Sequence, residues 1–164
     1  MTRFKAAGGF KLKIYTLTTT QHLPVPQQKA WDFLSNPSQL ENITSSDLSF
    51  KPLHPLPQKM KEGMTFRYQI RPFLGLRMNW QAEITRIEEG SMFIDIQRSG
   101  PFRYWQHEHR LIQNTDGTEM RDTVNYAMPF SIFGDIAHQL FIRKMLEDIF
   151  EYQKRAIATY FENN

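Results

Sequence analysis

A chain of 164 residues with a hydrophobic fraction of 40% and 13 phenylalanines is the size of one domain able to bury a core. Its net charge of +3, with twenty basic residues scattered among seventeen acidic ones, is too mild for a nucleic-acid footprint. The absence of cysteine excludes disulfides, thiolate zinc sites and cysteine nucleophiles and fits a reducing, cytoplasmic setting. No stretch approaches ~18 apolar residues without a charge, so neither a spanning helix nor stable membrane anchoring is expected.

Residues 1–9 carry two basic side chains with no apolar run after them, and read as a flexible leader rather than a signal peptide. A single domain over 10–164 is expected to follow. Its first strand runs from Phe10 to His22, rich in Thr, Ile and Tyr, with its inner face blurred by Thr18, Thr19 and Thr20. Pro24 and Pro26 end it, and Pro26 suits the first turn of a short helix, QQKAWDFL. Asn36 and Pro37 repeat that grammar as N-cap and first helical residue, predicting a second short helix over SQLENIT. The three prolines 52, 55 and 57 make Leu48 to Met60 a short strand followed by a stiff loop.

From Gly63 the alternation is clean: Met64, Phe66, Tyr68 and Ile70 face in, and Thr65, Arg67, Gln69 and Arg71 face out. After a turn near Gly75, Met78, Trp80, Ala82 and Ile84 continue the inner face, with Arg77 outside. Glu88-Glu89-Gly90 turns the chain again. In the next strand Phe93, Asp95 and Gln97 share one face. An even turn over 88–91 places Asp95 and Gln97 inside, beside Ile84 and Ala82; an odd turn makes Ile94 and Ile96 the inner pair. The even turn is favoured.

Residues 100–130 read as a long antiparallel hairpin turned at Asp116-Gly117. Trp105, His107, His109 and Leu111 share one face of the first strand, and Met120, Asp122, Val124, Tyr126 and Met128 one face of the second. A two-residue turn there sets Leu111 opposite Asp122, whereas a longer one sets His109 opposite Asp122; an even loop keeps both sets on one side. That side is mostly large and apolar yet carries two imidazoles and a carboxylate, which are costly to bury without partners. The pattern points to a cavity with polar groups in its wall. Beyond it, Gly134 to Phe161 has helical periodicity, with Ile136, Leu140, Met145, Ile149, Tyr152, Ala156 and Tyr160 on its apolar side. A helix of about 27 residues would be about 40 Å long and cross a whole sheet.

One strand, two short helices, a meander of antiparallel strands and a long terminal helix resemble the START-like, Bet v 1-like superfamily (SRPBCC). The chain is most similar to a bacterial branch named for cyclase/dehydrase or cell-division-inhibitor proteins. The motifs that carry the likeness are PxxxxWDFLSNPSQLENIT from Pro26, Trp80 with Ile84, FIDIQRSGPFRYWQHEHRL from Phe93, GTEMRDTVNYAMPF from Gly117 and the terminal FIRKMLEDIFEY. Ser131 departs from the glycine that usually follows the proline-phenylalanine pair. The resemblance implies an α+β helix-grip fold, a curved antiparallel β-sheet wrapped around the C-terminal helix with two short helices after the first strand. It also implies a cavity for an apolar or amphipathic small molecule, without fixing any chemistry.

Within such a cavity Tyr68, Trp80, Trp105 and Tyr126 supply apolar wall. Asp95, Gln97, His107, His109 and Asp122 supply a polar anchor. An imidazole oriented by a carboxylate in an apolar pocket also has the makings of a general base, so His107, His109 and Asp122 carry an alternative reading as a cyclase or dehydratase. Two histidines at i and i+2 stand roughly 7 Å apart along a strand and, with Asp122, could ligate a metal. That spacing is a weak signal and fixes no third ligand, so neither metal nor other cofactor is expected. No GxSxG occurs, and a serine triad is excluded. His22, His54 and His138 carry no partner signal and read as surface. A small hydrophobic or amphipathic ligand is the expected partner; no protein partner is implied.

Overall fold

The computed structural model describes residues 3–5, 11–45, 48–73, 76–128 and 141–163. Two short strands, β1 (Arg3–Lys5) and β2 (Lys11–Lys13), pair with one another, so part of the segment expected as a leader is laddered. The long first strand expected from Phe10 to His22 is divided at Ile14, and β3 covers Tyr15–Leu23.

Helix α1 spans Gln27–Leu34 and buries Ala30, Trp31 and Phe33. Pro26 caps it without a side-chain bond; instead the Gln27 amide donates to Gln113 Oε1 at 2.8 Å, and the Gln27 side chain to the Gly90 carbonyl. The helix start is thus tied to the turns of the sheet, which satisfy a backbone donor that has no partner within the helix. The second helix expected over SQLENIT shrinks to one 3₁₀ turn, Pro37–Gln39. Asn36 does cap it, accepting from the Ser38 amide, but only Leu40 and Ile43 give the segment apolar anchors, too few to hold further turns against the core.

The main sheet follows as β4 (Lys51–Pro52), β5 (Thr65–Phe73), β6 (Leu76–Glu88), β7 (Met92–Ser99), β8 (Tyr104–Asn114) and β9 (Gly117–Ala127). Its order is β3-β9-β8-β7-β6-β5-β4, with every neighbouring pair antiparallel. The meander from β5 to β9 comes from local turns, and the sheet is completed when β3 returns to the far edge of β9. The turn expected near Gly75 lies outside the described residues. The alternation expected for β5 holds, with Phe66, Tyr68 and Ile70 buried.

Between β6 and β7 the turn is odd, not even: Glu88 pairs with Met92, leaving three residues in the loop. Asp95 nevertheless sits opposite Ile84, and Gln97 opposite Ala82, as expected. A slip of one residue between Ile84 and Arg86 adds Thr85 to β6 without a partner, and this bulge restores the parity that the turn would have reversed.

The hairpin turn sits one residue earlier than expected. Asn114 pairs with Gly117, leaving Thr115 and Asp116 as the loop, and this register sets His109 opposite Asp122. Gly117, with φ of 150°, is where backbone crowds: a Cβ there would come within 2.3 Å of the Leu23 carbonyl oxygen. Thr118 beside it is fully buried and donates its hydroxyl to the Val25 carbonyl at 2.8 Å. The hairpin end is thereby locked onto the link between β3 and α1.

Helix α2 (Arg143–Glu162) lies across the concave side, with the Gln21 side chain of β3 donating to the Lys154 carbonyl. Its buried row is Leu146, Phe150, Ile157 and Phe161. Met145, Ile149, Ala156 and Tyr160, the expected stripe, flank that row and are half-buried, while Tyr152 is exposed. At 20 residues α2 is about 30 Å long. The expected helix start at 134–140, and Ser131, lie outside the described residues. One apolar cluster joins α1 and the end of α2 to β5 and β6; a second joins Phe102, Trp105, Val124 and Tyr126 to Ile142, Leu146 and Phe150.

Candidate functional site

Between the two clusters lies a cavity of about 200 Å³. Its apolar wall includes Phe66, Ile84, Phe93, Trp105, Ile149 and Phe150, drawn from the sheet and α2. Leu40 and Ile43 close it from the segment after α1. Trp80 and Trp105 meet edge to face at 5.0 Å, with Phe102 tilted against Trp105 at 4.8 Å.

Into this wall the pleat of three adjacent strands sets four polar side chains. Asp95 of β7 pairs with His107 of β8, and His109 of β8 pairs with Asp122 of β9, two residues further along the same face. Each imidazole therefore has one carboxylate opposite and the other on the diagonal, both within reach of long side chains. Nε2–H of His107 donates to Asp122 Oδ1 at 3.0 Å. Nδ1 of His109 lies 2.9 Å from the same oxygen but off the N–H direction, so it makes no aligned hydrogen bond. Nε2–H of His109 donates to Asp95 Oδ2 at 3.2 Å, and Nδ1 of His107 stands 3.8 Å from that oxygen. The two rings lie 3.7 Å apart between centroids. Phe93 stacks on His109 at 4.1 Å, and Phe150 of α2 meets His107 edge-on at 5.3 Å.

The charges follow from this geometry. Burial alone would push the Asp122 carboxyl up, but the hydrogen bond from His107, the close contact with His109 and the positive charge the two rings offer outweigh it and hold the group well below the usual carboxylate range. Burial alone would likewise strip the proton from His109. Its contacts with Asp122 and Asp95 reverse that and raise the imidazole to about 9. At neutral pH this value makes His109 a half-buried cation set between carboxylate oxygens and the Phe93 ring. Tyr68 is pushed up by burial and then by the negative charge of Asp95, so it stays a neutral phenol.

Of the residues expected from sequence, Tyr68, Trp80, Asp95, Trp105, His107, His109 and Asp122 all line the cavity. Gln97 and Tyr126 stand outside its lining. Gln97 binds the backbone of Phe102 through both amide atoms and shapes the bend before β8. Tyr126 is 2% exposed, packs behind Trp105 and Phe102, and is pushed up to about 12 by its burial. His22 is exposed, 3.8 Å from Asp116. His54, expected as partnerless surface, is half-buried and accepts the Arg67 amide at 2.9 Å; His138 lies outside the described residues.

Residues 23–151 match the family described as polyketide cyclase / dehydrase and lipid transport. The chain belongs to that family. No curated protein matches it in sequence. Among solved structures it is similar to TTHA0849 from Thermus thermophilus, with a TM-score of 0.70 at 14% identity over 91% of this chain and 98% of that one. A START superfamily protein from Mycobacterium smegmatis superposes with a TM-score of 0.67 at 10% identity, over 90% and 97% of the two chains. The ginseng major latex-like protein 151 from Panax ginseng gives 0.67 at 12% identity, again over 90% and 97%. Such identities establish the START-like, Bet v 1-like helix-grip fold and nothing finer. Among the described residues no helix is long and apolar enough to cross a membrane.

Sequence reasoning missed Phe93 and Phe150 as site residues, the two rings that touch the imidazoles. Phe93 had a signal: alternation puts it on the face of Asp95, two residues away, so whatever turns Asp95 inward turns Phe93 inward too. Phe150 had a weaker one, its spacing of four from Leu146 on the broad apolar side of the last helix. Neither spacing says that the ring will meet an imidazole.

Proposed function

We propose that the protein binds a small hydrophobic or amphipathic molecule in the cavity between the sheet and α2, as a cytoplasmic carrier or sensor. The observation that carries this reading is the combination of an aromatic wall with a charged His–Asp cluster set into it, the pattern of a pocket that takes an apolar body and orients it by a polar end. His109, held as a cation, favours an acceptor or an anionic group at that end, and Trp80 and Trp105 give the apolar body two flat faces. The helix-grip neighbours and the family's lipid-transport description support the same class of ligand.

The alternative reading, a cyclase or dehydratase with a cavity histidine as general base, fits His109 poorly: a base must be free to accept a proton, and the two carboxylates keep this one occupied. His107 is the better candidate, because its Nδ1 lies beyond hydrogen-bond reach of Asp95.

Native mass spectrometry of protein from its own host, with displacement of 8-anilinonaphthalene-1-sulfonate by fatty acids and aromatic acids, tests the proposal. Saturable displacement at one site, weakened by His109→Gln for acids more than for neutral analogues, is expected. No displaceable site in folded protein would defeat it.

A further inference from the structure

The four polar side chains do more than neutralise one another: they are arranged in two layers. Asp122 reaches one nitrogen of each ring, Nε2 of His107 at 3.0 Å and Nδ1 of His109 at 2.9 Å, both through the single oxygen Oδ1. The remaining nitrogens, Nδ1 of His107 and Nε2 of His109, both turn toward Oδ2 of Asp95, at 3.8 and 3.2 Å. One ligand atom from each of Asp95, His107 and His109 lies within 4.8 Å of the others. Around a first-row metal ion with bonds of about 2.1 Å, neighbouring donor atoms stand about 3.0–3.4 Å apart. Two edges of the triangle, at 3.2 and 3.8 Å, are at or near that spacing; the third, between the two ring nitrogens, is bounded only by 4.8 Å, so an ion would draw the two nitrogens together.

We propose that Asp95, His107 and His109 form a two-histidine, one-carboxylate site for a divalent first-row transition metal, with Asp122 as the outer carboxylate that hydrogen-bonds His107 and stands against His109. The ion takes the place of the proton on His109 Nε2. Imidazole donors favour zinc, cobalt or iron over magnesium and calcium, and three protein ligands leave open positions. A carboxylate on the far nitrogen of a ligating histidine is the arrangement that fixes its tautomer and aims its lone pair. Here one oxygen lies close to a nitrogen of both rings, in an aligned hydrogen bond with His107. The role sequence reasoning gave Asp122 as a ligand passes to Asp95, and Asp122 stands behind. Because all three ligands line the cavity, the open positions face the space where a small molecule would sit. The site does not depend on the proposed ligand; either can be present without the other.

The test uses tag-free, chelator-stripped protein titrated with Co(II) by visible absorption and with Zn(II) by calorimetry, alongside long-range imidazole ¹H–¹⁵N spectra of the wild type. Expected are one ion per chain and movement of the His107 and His109 ring-nitrogen resonances alone. Asp95→Asn and His107→Gln should each weaken binding at least about 100-fold, and Asp122→Asn about 10- to 100-fold without abolishing it. The proposal is overturned by lack of saturable binding at one ion per chain, by movement confined to the other three histidines, or by variants that bind as the wild type does. Should a variant fail to fold, the wild-type spectra decide by themselves.

Discussion

A buried carboxylate held between two imidazoles is stabilised by the protons those rings carry, so the site's protonation is also a statement about folding. His109 has a folded-state value raised from the ordinary 6.5 to about 9. Its contribution is complete below the ordinary value and is lost as pH rises through about 9. Asp122 is shifted the other way: its contribution is present above the ordinary carboxylate range and is lost only as pH falls through its depressed value. Together they predict a plateau near pH 5–6 and a decline from about pH 6.5 to 9, on the order of 1 kcal/mol per pH unit at its steepest. Urea melts of chelator-stripped protein across pH 5–9.5 measure this, and a flat profile would contradict the cation assigned to His109. Removing one partner sharpens the case. Asp122→Ala breaks the buried pair with His107 and removes one of the two carboxylates beside half-buried His109, and should cost about 3–5 kcal/mol at pH 6 while bringing the His109 titration down toward 6.5. Denaturant melts give the first quantity and imidazole NMR the second.

At the scale of strands and helices, what could be read in advance followed from periodicity, and what could not came from features without a period. The inward faces of β5, β8 and β9 were legible because alternation over nine to eleven residues leaves no competing parity. The inward face of β7 was reached by a different route from the one expected, since an odd turn and a bulge at Thr85 cancel, and neither has a signature in the sequence. The pairing of His109 with Asp122 was open between two registers, because Asp-Gly drew the turn one residue too far; Gly117 is used instead for its close approach to Leu23. The α2 stripe was found one row off its buried centre, since Met145–Ile149 and Leu146–Phe150 lie side by side on a broad apolar face. Only contact with the sheet selects the middle row. Gly90 and Gly117 set open space against crowding. Gly90 has φ of 80° and open space around it, so Gly90→Ala should cost about 1 kcal/mol. Gly117→Ala meets the Leu23 carbonyl at 2.3 Å and must displace β3 from the hairpin end, so a loss of about 3 kcal/mol or more is expected. Equal melting temperatures for the two variants would show that the contact yields easily.

Over the whole molecule, the cavity is what distinguishes this fold from a sheet and a helix packed solid. A space of about 200 Å³ beneath α2 forgoes contacts that close-packed interiors normally make, so it lowers stability unless something occupies it. A substitution that fills the space should then strengthen the fold and weaken binding, opposite effects that a purely structural residue does not produce. Ala82 is suited to the test: it is buried on β6, lines the cavity, and pairs with Gln97 rather than with a member of the His–Asp cluster. Ala82→Leu adds three carbons into the void, each worth about 0.8 kcal/mol if it packs without strain. The variant should melt several degrees higher than the unliganded wild type and lose most of its affinity for the anilinonaphthalene probe. Ligand, conversely, should raise the wild-type melting temperature and leave that of Ala82→Leu unchanged, because only a molecule that binds the native state shifts its unfolding. Calorimetric scans with and without probe read both effects. A variant that melts lower and still binds would mean that Ala82 faces packed core, and that the ligand pocket lies elsewhere.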